Sequence, residues 1–117
     1  MYQINNNDFK ILNKFKDFSI KLDGLLENKP RKDYYYKDHI RDINNKLLES
    51  ILKLSYETRK ELIINYRVEI KTKIAEMDFM LERLFTKRYI SDRALYKIAL
   101  DLVEINKMAT SWINNKI

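Results

Sequence analysis

One histidine, no cysteine and one glycine decide most of the chemistry open to this 117-residue sequence. The residue three before His39 is Tyr36, so the Glu-x-x-His pair that ferritin-like helices use to hold two metal ions is absent. A lone histidine without cysteine excludes a tetrahedral zinc site of the usual ligands. A Ser-His-Asp relay would have to run through His39 near the start of a helix, and no serine stands close to it in the chain. His39 therefore reads as a surface or capping residue. Gly24 stands alone, which rules out a glycine-rich phosphate loop, and the lack of Cys rules out disulfides and thiolate chemistry. The expectation is a non-enzyme with no catalytic residue, no metal and no cofactor.

What remains is positive charge beside aromatic rings. The chain carries 23 basic and 17 acidic residues, a net charge of +6, which favours anionic partners. The excess is uneven. Residues 58–88 hold eight basic and five acidic side chains, or +3, while 1–29, 30–57 and 89–117 carry +1 each. The run Tyr34-Tyr35-Tyr36 follows Pro30-Arg31-Lys32. Tyrosines beside cations can stack nucleobases. The alternative, preferred on residue type, is that the rings cover a bundle end or an interface with the hydroxyl in water.

Four helical segments must position these groups. In the last, Leu95, Ile98, Leu102, Ile105, Ala109 and Trp112 step by alternating threes and fours, a heptad seam ending on a core tryptophan. Ser91 or Asp92 caps it, and it ends near Asn114. The first helix runs from about Asp8, its N-cap, to Glu27, with Ile11, Phe15, Phe18, Leu22 and Leu25 inside. Asn28-Lys29-Pro30-Arg31-Lys32 breaks it, because proline disfavours helix at the preceding residue. The second begins near Asp33 or Tyr34, ends near Tyr56 and buries Ile40, Ile43, Leu47, Ile51 and Leu54. The third, from about Thr58 to Thr86, buries Ile63, Tyr66, Ile70, Ile74, Met77, Leu81 and Leu84. No breaker marks the join near Glu57-Thr58-Arg59. Connections this short impose antiparallel neighbours, so the expected fold is an all-α, up-down-up-down four-helix bundle in one domain, residues 1–117. No run reaches the 18 apolar residues of a membrane span. The first eight residues lack a signal-peptide pattern, so a cytoplasmic location is expected.

The third helix carries a second apolar stripe. Ile64, Val68, Ala75 and Phe79 fall about 150° from its inner set on a helical wheel, where a solitary bundle would place polar groups. The fourth helix has apolar residues off its seam as well: Ala99, Leu100, Val103 and Ile113. Contiguous exposed apolar surface marks an interface, so a homo-oligomer is expected, against the plainer reading of singly exposed residues. Lys60, Arg67 and Lys71 lie between the two stripes, within about 40° of one another, and Arg83 and Lys87 lie beyond the outer one. Arg93, Lys97 and Lys107 point outward on the fourth helix, interrupted by Glu104. Repeated around an oligomer, such strips would form a broad positive surface able to displace counterions from nucleic acid. Taken singly, each cation is equally an ordinary surface residue, and Lys73 has Glu69 four residues away as a pairing partner.

The order of several short motifs resembles a known family. Pro30-Arg31-Lys32 leads to Ile40-Arg41-Asp42, Leu47-Leu48-Glu49 and Ser55-Tyr56. Asp78-Phe79-Met80-Leu81-Glu82-Arg83-Leu84 precedes Tyr89-Ile90-Ser91, and the chain closes on Glu104-Ile105, Met108 and Trp112-Ile113. Across residues 18–114 this is similar to the accessory variability determinant (Avd) proteins of diversity-generating retroelements. They lie within a four-helix-bundle superfamily that includes proteins encoded in intervening sequences of bacterial 23S rRNA genes. The resemblance implies a homopentameric barrel with a basic surface that binds the retroelement's reverse transcriptase and template RNA during mutagenic cDNA synthesis. On that expectation Arg31, Lys32, Lys60, Arg67, Lys71, Arg83, Lys87 and Arg93 contact phosphate, and Ile64, Val68, Ala75 and Phe79 form the oligomer interface. The alternative is an oligomeric protein-interaction bundle of the intervening-sequence type with no retroelement role.

Overall fold

In the computed structural model, which describes residues 6–27 and 34–117, the chain forms α1 (Asn6–Glu27), α2 (Tyr34–Tyr56), α3 (Lys60–Thr86) and α4 (Asp92–Lys116). Side-chain contacts between helices fix the topology. Tyr36 meets Arg83 and Ser50 meets Glu69, so α2 and α3 run antiparallel. Lys14 and Lys21 both meet Asp101, tying α1 to α4, while Asn44 of α2 donates to Ser19 of α1. Each helix packs on its neighbours in a closed square, most closely between α2 and α3 and least closely between α1 and α2. The up-down-up-down bundle expected from the heptads is what the chain forms.

The core follows the stripes with instructive differences. Ile40, Ile43, Leu47, Ile51 and Leu54 are all buried, as are Ile63, Ile70, Ile74, Met77, Leu81 and Leu84. Burying each of these is worth roughly 1.5–3 kcal/mol. In α1 the last core position is Leu26; Leu25 is only half-buried. In α4, Ile113 is fully buried rather than off the seam. At about 100° per residue Ile113 falls within about 20° of Leu102, on the same face. Tyr66 and Leu95 pack against the core from its edge.

The helix ends have separate causes. Ser91 has an extended backbone and its Oγ accepts a hydrogen bond from the Ala94 N–H, so it is the N-cap of α4. Asp8 lies inside the first turn of α1, which starts at Asn6, and is not its cap. Between α2 and α3 the chain turns on a carboxylate. Glu57 Oε2 accepts from the backbone N–H groups of Thr58 and Arg59 and from Arg59 Nε, at 3.0–3.2 Å, and α3 begins only at Lys60. These bonds hold the Glu57 carboxyl below its usual range, the Arg59 side chain contributing most. Beyond α3, Arg88 has φ 63°, the Arg88 N–H bonds to Phe85 O and the Tyr89 N–H to Leu84 O. This is the Schellman arrangement, in which glycine usually occupies the left-handed position.

Asp101 clamps α1 to α4. Its Oδ1 lies 3.2 Å from Lys14 Nζ and its Oδ2 3.0 Å from Lys21 Nζ, while Lys14 also reaches Glu104 at 3.1 Å. Partial burial opposes ionisation of Asp101, but the bonds from Lys21 and Lys14 outweigh it and keep the carboxyl below the usual aspartate range. A lowered native pKa stabilises the fold above the unfolded value of about 3.9, and that stabilisation is lost as pH falls through the lower native value. Asp101→Asn is therefore expected to reduce stability at pH 7 by about 1 kcal/mol, discounted for the exposure of Lys21. In urea unfolding the difference from wild type should shrink as pH drops from 5 to 3.

Candidate nucleic-acid interface

The outward face of α3 is apolar and its flanks are cationic. Val68 and Phe79 are 59% and 57% exposed, Ile64 is 42% exposed and Ala75 is open as well. These four side chains share a face because the buried set, centred on Ile70, Ile74 and Leu81, takes the opposite side of the same helix. The stripe continues onto α4. Ala75 shares a shallow groove of about 320 Å³ with Ala99 and Val103, rimmed by Lys71, Asp78 and Asn106. Val103, Leu100 and Tyr96 are at least half exposed, and their spacing makes a second outward stripe. Tyr96 was legible in that spacing, being seven residues before Val103.

The cations fall into two groups on either side of this face. Lys60, Arg67 and Lys71 lie along the α4 side, and Lys71 Nζ donates to Thr110 Oγ1 of α4 at 3.1 Å. Lys60 and Lys71 are exposed, Arg67 half-buried. Arg93 is exposed near the start of α4. Arg83 and Lys87 lie on the α2 side, at the C-terminal end of α3. Arg31 and Lys32 lie outside the described residues.

The α2 side has a more specific geometry. Tyr36 is buried four residues before Ile40, extending the inner stripe of α2 by one position. Its hydroxyl accepts from Arg83 Nη2 at 3.1 Å. The Arg83 guanidinium lies between two rings, 5.5 Å from the centroid of Tyr36 and 5.7 Å from that of Phe79, and Lys87 Nζ sits 5.5 Å from the Tyr36 centroid. The hydrogen bond from Arg83 keeps the Tyr36 hydroxyl below the usual phenol range, against the effect of its burial. Tyr35 beside it is 68% exposed. The tyrosine run thus divides between two roles, one ring in the core margin and its neighbour in solvent, because successive helical residues differ by about 100°.

Pairing elsewhere departs from simple spacing. Lys73 bonds Glu76 at 3.1 Å rather than Glu69, whose Oε2 accepts from Ser50 Oγ instead. Glu104, which interrupts the α4 cations, is occupied by Lys14. Among the described residues no group of three metal-ligating side chains gathers, and no helix is long and apolar enough to cross a membrane.

No family model, curated protein or solved structure matches this chain.

Proposed function

We propose that this protein is a non-enzymatic, oligomeric accessory subunit that binds RNA, and that its setting is a diversity-generating retroelement, with a reverse transcriptase as its protein partner. The observation that supports the reading is the outward face of α3. Exposed Val68 and Phe79 run between two groups of cations, Lys60, Arg67 and Lys71 on one side and Arg83 and Lys87 on the other. A face of this kind seals against another copy along its apolar line and leaves the cations at the rim. Repetition then joins modest local charge into a continuous positive surface. The retroelement setting, the reverse transcriptase and a five-fold assembly rest on the resemblance of the motifs across residues 18–114.

Phosphate contacts of this kind position a strand without reading its bases. Six of the proposed contacts lie among the described residues: Lys60, Arg67, Lys71, Arg83, Lys87 and Arg93. If all engage a single strand, the logarithm of RNA affinity should fall against the logarithm of salt concentration with a slope of about −4. Fluorescence anisotropy of a labelled RNA across salt concentrations checks this. A flat response overturns the RNA reading and favours a bundle that interacts only with protein.

A further inference from the structure

The ends of α2 and α3 that meet at Tyr36 carry an arrangement that charge alone does not require. Tyr35 is mostly in solvent, yet its ring is held on two sides. It lies edge-on to Tyr36 at 5.3 Å between centroids and within 8° of parallel to His39 at 5.8 Å. These contacts favour one placement of the ring while most of its surface stays open to a ligand. The Tyr36 hydroxyl anchors Arg83, whose guanidinium also lies near the Phe79 ring, and Lys87 Nζ sits over the Tyr36 ring. One guanidinium N–H bond to Tyr36 leaves the other donors of Arg83 available. The left-handed backbone position just after α3 is held by Arg88, where glycine would be free of strain, so a further cation stands at this end in a conformation costing roughly 1 kcal/mol.

We infer that this end of the bundle is a base-stacking site for unpaired nucleotides: Tyr35 takes the face of one base, and Arg83 and Lys87 take the adjoining phosphates. Duplexes bury their base faces and offer only the backbone, so the site selects single-stranded over double-stranded nucleic acid. The cations supply steering and the exposed ring supplies contact that every base can satisfy, so the preference is for strandedness and not for sequence. This inference rests on the proposed binding of RNA and adds to it the class of nucleic acid preferred.

The test compares three labelled ligands by anisotropy at one salt concentration: a twelve-nucleotide oligouridine, an abasic ribose-phosphate oligomer of equal length, and a duplex RNA of twelve base pairs. The variants are Tyr35→Leu, which removes the π face at an exposed position, and Tyr35→Phe, which keeps it. Wild type is expected to bind oligouridine at least fivefold more tightly than the abasic oligomer, the low end of one stacked base. Tyr35→Leu should bring oligouridine down to the abasic affinity without changing the abasic or duplex values, and Tyr35→Phe should behave as wild type. Equal wild-type affinity for oligouridine and the abasic oligomer overturns the stacking site while leaving polyanion binding intact. So does a Tyr35→Leu defect that is the same for all three ligands. Failure of the wild type to bind any of them overturns the RNA reading itself.

Discussion

Replacing Lys60, Arg67 and Lys71 together with glutamine is expected to lower affinity for single-stranded RNA about 500-fold at 50 mM salt and to reduce the steepness of the salt dependence by about 2. The arithmetic follows from counterion release. Each phosphate neutralised on a single strand contributes about 0.7 to the slope, so three contacts contribute about 2.1, which at 50 mM salt corresponds to nearly three decades of affinity. These three residues are the right set because they share one flank of α3 beside the α4 groove and can follow one stretch of backbone. Lys71 bonds Thr110 Oγ1 there, a neutral hydroxyl, and has no ion pair among the described residues. The substitution disturbs little of the fold, since Lys60 and Lys71 are exposed and Arg67 is only half-buried. A two-site control, Lys46→Gln with Lys53→Gln, removes cations that are ion-paired with Asp42 and Glu49 on α2. It should change affinity far less. If the triple variant binds as tightly as wild type, RNA does not run along this flank. If the control weakens binding equally, only net charge matters and no particular surface is used.

The bundle was legible in the sequence because its signal is redundant. Four stripes hold five or more apolar residues each, and no single error displaces a helix. The differences occur where one residue decides. The turn between α2 and α3 lacks glycine and proline, and depends on the Glu57 carboxylate collecting the N–H groups of Thr58 and Arg59. Glutamate is common on helices, so its type says nothing; only its position at the chain reversal does. A strict heptad count selects Leu25 over Leu26 and leaves Ile113 outside, because steps of seven and of eleven residues each return to within about 20° of the same face and the count keeps only the first. Tyrosine type alone could not divide Tyr35 from Tyr36. Their difference is set by the inner stripe of α2 and by Arg83 approaching from a helix 47 residues away. The pairing of Lys73 with Glu76 was likewise undecidable from spacing, since Glu69 is drawn to Ser50 across the α2–α3 seam. The outer stripe was visible on a helical wheel because exposure is a property of one helix. The platform at Tyr35 was not, because it is assembled from two.

Val68→Asp combined with Phe79→Asp should dissolve the proposed oligomer, shifting its dissociation constant by more than a thousandfold. Both side chains are more than half exposed in the single chain, so the helix loses no core packing by carrying aspartate there. In an oligomer closed along this face each would be buried against a neighbour. Burial of a valine and a phenylalanine contributes roughly 1.5–3 kcal/mol apiece, and the replacement carboxylates must in addition be stripped of water without partners. Even the lower bound for the two apolar losses, about 3 kcal/mol, exceeds a hundredfold, and the desolvation of charge carries the total past a thousandfold. Light scattering should then report the 14.3 kDa monomer, with helical circular dichroism unchanged. Separating assembly from charge also tests why the protein would oligomerise at all. The monomeric variant keeps Lys60, Arg67, Lys71 and Lys87, so each subunit still attracts RNA, but neighbouring strips no longer act on one strand. Multivalent gain is lost with them, and RNA affinity should fall well beyond what the two added negative charges per chain explain. A wild type that scatters as a monomer would remove the reason for the outer stripe. A dissociated variant that binds RNA as tightly as wild type would show that single subunits suffice and that repetition of charge contributes nothing.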